Sequence, residues 1–537
     1  MRCTSATRSA GGRPSDVPYS SVSFVSFASF AAFLLLIFAL PARAHVGSPD
    51  VFLDANAGPY RLFVTVRVPQ VIPGIAQIEI RSASNDVREI KIAPMQLTGP
   101  GSQYAPTPDI AERSKADPQF FTGSLWLMEL GSLQVRVDVD GAKGQGELAV
   151  PVPAVAQRTL PMRKPLGVLL FGLMVLLASA LVSISAAAVR EGDIVPGASP
   201  PAAKIRRARA ATVIAAIVVG AVLFIGAEWW KSDAARFARR VYTPPQLEAT
   251  LEPDGTLLLH QKPMRFAAGN PRRPEDVITF DNLIPDHGHL MHFFMVRMPQ
   301  MDSFWHLHPT PSEVGTFTTG MPPVPPGHYD LFADVVLSSG FPVTMVGQID
   351  VAEGHPAKAI TGDDSAVAAL PVSQSEKNST ESIFTDGLRM IWQRDPGPLK
   401  SNVPMEFRFL IEGKDGKPAR DLEPYMGMAA HAEIIRSDAS VFAHVHPAGS
   451  VSMAALDLAQ MQTPGAAQAS PQDGMSMNAS MNMSKSMSTM NMPGMSPTVD
   501  PMISFPYGFP KPGLYRVFVQ IKRAGRVETA VFDALAN

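Results

Sequence analysis

The sequence predicts a mainly β protein, built as three immunoglobulin-like β-sandwich domains with a two-helix transmembrane hairpin between the first and the second. Three observations predict this. Short alternating or β-branched runs, bounded by Gly and Pro, recur through residues 45–157, 243–352 and 381–534. Fifty prolines in 537 residues suit loops and edge strands better than helices. Two uncharged apolar segments, 166–189 and 210–227, are each long enough to cross a bilayer.

In chain order, residues 1–44 read as an export signal. Arg2, Arg8 and Arg13 form a basic region, residues 22–40 an apolar run, and Ala42-Arg43-Ala44 supplies small residues for cleavage. Cleavage there would expose His45, whose amine and imidazole can both reach one metal ion. The first domain, 45–160, contains strand-like runs such as Tyr60 to Val68 and Glu147 to Val152, with a short helix expected from Asp109 to Ala116. Region 165–230 holds the two spans. The loop between them carries Arg190, Lys204, Arg206, Arg207 and Arg209, which favours the cytoplasm; the outer flanks are basic too, so the export signal decides the orientation, and Trp229-Trp230 marks an interface. The second domain spans 243–352. Residues 353–380, rich in Ala, Ser, Gly, Asp and Pro, read as a linker. The third domain spans 381–537.

The second and third domains repeat each other. Leu283, Pro285, Gly288 and His292 match Leu422, Pro424, Gly427 and His431 at a constant offset, and Pro326-Gly327-His328-Tyr329 matches Pro512-Gly513-Leu514-Tyr515. A period this long marks duplicated domains, since solenoid repeats run about 20–50 residues. Each copy places a His before a strand, a turn, and then His-X-His-Pro: His292 with His306 and His308, and His431 with His444 and His446. Histidines two apart on a strand share a face, and folding about the turn sets His292 opposite His308 and His431 opposite His446. Each hairpin therefore gathers three imidazoles, a donor set suited to copper, or alternatively zinc. His287 and His289 in the first copy correspond to Met426 and Met428 in the second, and all four read as auxiliary ligands. His260, His328 and His355 read as structural or exposed.

The third domain also carries an insertion, 461–502, with a low-complexity Met tract that includes Met475, Met477, Met481 and Met483. Thioethers so spaced in a polar segment suit capture of Cu(I). The single cysteine, Cys3, lies in the expected signal, which excludes zinc-finger and thiol-redox chemistry. A net charge of −2 gives no case for nucleic-acid binding.

The order of a Met-His or Ala-His strand, a turn, Phe-X-His-X-His-Pro, and then Pro-Gly-X-Tyr resembles the YtkA-like and FixH-like exported β-sandwich modules of bacteria. The resemblance covers 243–352 and 381–534 best, and the first domain more loosely. It implies a β-sandwich fold, a periplasmic face on the bacterial inner membrane, and an association with copper or heavy-metal systems. The partners it implies are a copper chaperone or an oxidase assembly factor; it assigns no catalytic residue. Two other readings stand beside copper homeostasis: a copper- or zinc-dependent enzyme with Asp286 or Glu433 as candidate base, and a structural or adhesion module whose histidines only pack.

Overall fold

The computed structural model describes residues 50–195, 197–262, 264–265, 277–278, 282–372, 380–395, 398–461 and 499–537. It is mainly β, with three domains each built on two main sheets, a further two-stranded sheet in the second (Met264–Arg265 with Val277–Ile278), and two long apolar helices. In the first domain, alternation sets the layers. Tyr60–Arg67 buries Tyr60, Leu62, Val64 and Val66 against the facing sheet of Val87–Gln96, Gly131–Gly141 and Gly144–Ala154. The expected helix at 109–116 is absent. Asp109–Ile110 and Glu112–Arg113 pair as short strands, one in each sheet, because neighbouring edge strands offer ladder partners that an isolated turn of helix lacks.

Helix α1 (Lys164–Glu191) and helix α2 (Ala202–Ala238) pack on each other, and protein buries none of the most apolar stretch of either. Helices apolar on every side need a solvent of their own kind. At 28 and 37 residues they run about 42 and 55 Å, enough to cross a hydrocarbon core of about 30 Å. Both helices are thus long and apolar enough to cross a membrane.

The second and third domains follow one plan, as the repeat requires. In the second, the central strand Gly327–Leu337 pairs with His292–Met298, which pairs with Ser303–Leu307. In the third, Gly513–Arg523 pairs with His431–Arg436, which pairs with Phe442–Val445. The Pro-Gly-X-Tyr motifs do the same work in each copy. Gly327 and Gly513 sit at φ 148° and 144°, and the following Tyr329 and Tyr515 hydroxyls donate to the Pro325 and Lys511 carbonyls at 2.7 Å.

The His-bearing strands are buried on both faces. Phe293, Met295, Trp305 and Leu307 fill the second domain's core, while Phe294, Val296 and Phe304 face the third domain. There they meet Ile435, Phe442 and Phe518 in one shared apolar cluster. The contact has pseudo-twofold symmetry. Phe304 stacks on Phe518 at 4.2 Å and Phe332 on Phe442 at 4.3 Å, and the repeat exchanges one pair for the other. Arg516, buried and paired with Asp533, donates across the seam to the carbonyls of Met301 and Leu370.

Two further elements tie the body together. The region expected as a linker carries strand Ser365–Ala368, which extends the second domain's sheet by pairing with Ser303–Leu307. Helix α3 (Met453–Met461), at the start of the third domain's insertion, buries Ala455, Leu456 and Ala459 in the first domain's core. Beside it, the edge strand Val51–Ala57 is covered by the third domain: Asp54 N–H donates to the Ala448 carbonyl and Ser450 N–H to that of Phe52.

Candidate metal centre

The register places His292 opposite His308 and His431 opposite His446, since Phe293 pairs with Leu307 and Ala432 with Val445. The two hairpins do not form two separate sites. Their histidine faces meet at the domain seam, so that His287, His289, His292, His306, His308, His431, His444 and His446 make one continuous network of imidazoles. Consecutive rings in it lie 4.0 to 6.0 Å apart.

Ligand-capable nitrogens converge in two groups. One is His292, His306 and His308, as the repeat suggests. The other is His287, His431 and His446, with His287 crossing from the second domain. His444 is not in that group; its ring lies between the two, 5.3 Å from His292 and 4.6 Å from His446. The reach of His287 comes from local geometry. Asp286-His287-Gly288-His289 is a tight hairpin turn with His287 at φ 52° and Gly288 at φ 84°, closed by hydrogen bonds between Asp286 and His289. Tyr425-Met426-Gly427-Met428 repeats it, with Met426 at φ 50°. The Met426 carbonyl accepts from His287 Nδ1 at 3.1 Å, so the two equivalent turns touch each other.

Hydrogen bonds fix the tautomers, because a carbonyl oxygen can only accept. His292 donates from Nε2 to the Asp286 carbonyl (3.1 Å), which leaves Nδ1 bare. His306 Nδ1 donates to Gln520 Oε1 (2.8 Å), which leaves Nε2 bare. Those two bare nitrogens face each other at 3.1 Å. In the second group, His287 and His446 donate from Nδ1 to the carbonyls of Met426 and Val451, and their bare Nε2 atoms face at 3.2 Å. Two lone pairs at that distance repel unless something positive lies between them. A proton there would make an imidazolium. Burial and the neighbouring rings push His292, His306, His431 and His446 well below the ordinary histidine range, so the imidazolium is disfavoured. A metal ion about 2.0 Å from each nitrogen would see the pair at about 100°, close to a tetrahedral angle.

The surrounding polar atoms fit the same account. His308 Nδ1 lies 3.0 Å from Asp364 Oδ1, and its buried Nε2 has no partner. His444 Nδ1 lies 3.4 Å from Asp334, and its Nε2 is likewise bare. Both nitrogens of His431 are buried without a partner. A carboxylate or carbonyl stands behind His287, His292, His306, His308, His444 and His446, the outer arrangement that orients histidine ligands. The repeat applies here too: Gln520 behind His306 corresponds to Asp334 behind His444. Such a concentration of unpaired buried polar atoms needs an explanation, and a bound cation supplies one.

Glu433 breaks the symmetry, since its repeat mate is Phe294, which stacks on His306 at 4.3 Å. Glu433 is fully buried, neither oxygen has a hydrogen-bond partner, and burial pushes its carboxyl well above the ordinary range. Its Oε1 lies 3.9 Å from His306 Nδ1, on the side away from the bare Nε2, so it stands behind a ligand and not among the ligand atoms.

Sequence reasoning missed Asp363, Asp364 and Gln520, and reads Asp286 as a candidate base, not as a support for His292. Asp363 and Asp364, in the expected linker, face Lys522 and His308. Asp286 uses its carbonyl to orient His292 and its carboxylate to accept from Ala454 N–H at the start of α3. His289 stacks on His308 at 4.0 Å, and burial lowers its pKa to about 4. Met426 and Met428 are half-buried beside the seam. His260, His328 and His355 lie outside the network, bonded to Thr316, Asp350 and backbone carbonyls. His45, Met475, Met477, Met481 and Met483 lie outside the described residues.

Comparisons with known proteins give fold-level likeness only. A tetra-tandem repeat from the extending region of a large adhesion protein aligns over 88% of this chain and 72% of its own at 8% identity, with a TM-score of 0.15. Latent PorU from Porphyromonas gingivalis aligns over 87% of this chain at 10% identity and a TM-score of 0.12, and Salmonella alpha-2-macroglobulin over 92% at 9% identity and 0.18. The chain spans 32% and 24% of those two structures. At these scores the superpositions carry no information on the site. No curated protein matches the chain. Residues 382–537, the third domain, match the model of a family described as a domain of unknown function, DUF8832.

Proposed function

We propose that this chain is a membrane-anchored metal-binding protein of the bacterial periplasm, whose two histidine groups hold copper for homeostasis or delivery. The observation that carries the reading is the pair of facing bare nitrogens, 3.1 Å apart in one group and 3.2 Å in the other. Neutral imidazoles with no thiolate nearby suit copper or zinc. The methionines that replace His287 and His289 in the second copy favour copper, because thioethers prefer its reduced form. His292, His306 and His308 would hold one ion, and His287, His431 and His446 the other. His444, His289, Met426 and Met428 stand beside them as auxiliary ligands.

The uncovered apolar helices support membrane anchoring, and the export signal with the basic loop supports a periplasmic face on the inner membrane. A YtkA-like or FixH-like kinship agrees with this placement. The partners it suggests are a copper chaperone or an oxidase assembly factor.

Competition of the intact protein with a Cu(I) chelator tests the reading. The wild type should retain copper at chelator concentrations that strip the His292→Ala/His446→Ala variant. Equal loss from both proteins would overturn the proposal, and tight retention of zinc with no retention of copper would reassign the metal.

A further inference from the structure

A chamber of about 200 Å³ lies where the three domains meet. Each domain contributes apolar walls: Leu133 and Val152 from the first, Val335 and Phe341 from the second, Phe442 and Ala455 from the third. All six are buried. One end is polar and belongs to the histidine network, with His292, His444, His446 and Asp334 in its lining. Val155, Gln157 and Tyr242 also line it. These residues leave the membrane helices, since Tyr242 follows α2 by four positions and Gln157 precedes α1 by seven. They are held together there by a hydrogen bond from Tyr242 N–H to the Ala156 carbonyl (2.7 Å). The chamber therefore lies on the side of the body that carries the anchor.

Its chemistry selects a ligand. The walls favour an apolar body, and the volume exceeds the 150 Å³ or so that accommodates benzene in an apolar protein cavity. The polar end offers acceptors. His444 turns Nδ1 toward Asp334 Oδ2, so its Nε2 is a lone pair, and Asp334 Oδ1 is buried without a partner. Two acceptors call for a donor. The carboxylates of Asp334 and Asp286 in the same lining oppose an anion.

We propose that this chamber binds a small, neutral, lipid-soluble molecule with an apolar ring-sized body and one hydroxyl, of the simple phenol class. The hydroxyl donates its one proton to one of the two acceptors, His444 Nε2 or Asp334 Oδ1, and the body lies against Val335, Phe442 and Ala455. Access is from the membrane side. Binding does not require metal, but rests on the metal reading in one respect: the hydroxyl would then lie beside the ions, which would make the centre accessible to a small organic molecule.

Calorimetric titration of p-cresol into the intact protein in lipid nanodiscs tests this, with toluene and 4-methylbenzoate as probes lacking the donor or carrying a charge. The expected result is saturable binding of one p-cresol per chain, about tenfold tighter than toluene, the worth of one buried hydrogen bond; 4-methylbenzoate should not bind. Thr344→Trp, at a half-buried wall position, and Ala455→Phe, at the start of α3, should each abolish it. Thermal melting of each variant identifies those that fold. Unsaturable partitioning, equal affinity for toluene, or binding unchanged in a folded filling variant would overturn the proposal. So would an absence of p-cresol binding in the wild type together with slower copper loading by Thr344→Trp, which would make the chamber an ion path. Elemental analysis of the same samples separates the two readings, because p-cresol binding to a protein that takes up no metal would sink the metal centre and leave the chamber.

Discussion

His287 shows how one residue changes the chemistry of a repeat. Its counterpart, Met426, keeps the same left-handed turn conformation, yet only His287 supplies a nitrogen to the opposite domain's histidines. Around it, burial holds His289, His292, His306, His431 and His446 neutral. The unfolded chain takes up protons at histidine as pH falls through about 6.5, while His292, His306, His431 and His446 resist until far lower pH and His289 until about 4. Below pH 6.5 the unfolded state thus binds more protons, and stability is lost progressively as pH falls. Glu433 acts in the opposite sense: its raised carboxyl pKa favours the fold at low pH, and that contribution fades as pH rises above the ordinary 4.5. Several histidines outweigh one carboxyl in the window between 6.5 and 5. The metal-free protein should therefore melt at lower temperature at pH 5.5 than at pH 7.5. A melting temperature flat or rising toward acid would contradict the neutral cluster.

At the level of elements, the centre depends on the sheet-to-sheet seam that brings the hairpins together. Phe304 and Phe442 are repeat mates, each stacked on a phenylalanine from the other domain. Phe304→Ala and Phe442→Ala should each cost about 3–5 kcal/mol in urea unfolding, as expected for truncating a buried phenylalanine. Because the seam is pseudo-symmetric, the two costs should be similar. A large cost for one and none for the other would show that the seam is not shared in the way the stacking indicates.

The hairpins themselves were legible in the sequence. Two-residue spacing and symmetric turns set His292 opposite His308 and His431 opposite His446, and the strands adopt that register. The meeting of the two hairpins was not read, although a signal for it exists. Phe293-Phe294-Met295-Val296 and Ala432-Glu433-Ile434-Ile435 do not alternate, and a strand apolar on both sides is a strand covered on both sides. Asp364 was hidden for a different reason. Its segment has a linker's composition, and strand Ser365–Ala368 forms only because the neighbouring strand Ser303–Leu307 presents a free edge.

Over the whole molecule, the three domains pack into one body through shared cores and backbone hydrogen bonds. The first domain braces the loop after His446 through Val51–Ala57 and receives α3 into its core, so a domain remote in sequence supports the centre. The two helices are long and apolar enough to cross a membrane, which supports the proposed anchoring. Removal of the proposed export signal would leave no cysteine, which makes the proposed topology easy to probe. A cysteine introduced at Ser199, between the helices, should react with an impermeant maleimide only after the inner membrane is opened. One introduced at Asp350 should react in intact spheroplasts. The reverse pattern would invert the proposed orientation.

The central claim is that two domains share one paired metal centre, and copper stoichiometry of the intact protein tests it most directly. The account predicts about two ions per chain in the wild type. His287→Ala and His431→Ala should each leave about one, because both residues serve the second group although they belong to different domains. Full copper content in His287→Ala, or sub-stoichiometric metal in the wild type, would contradict it.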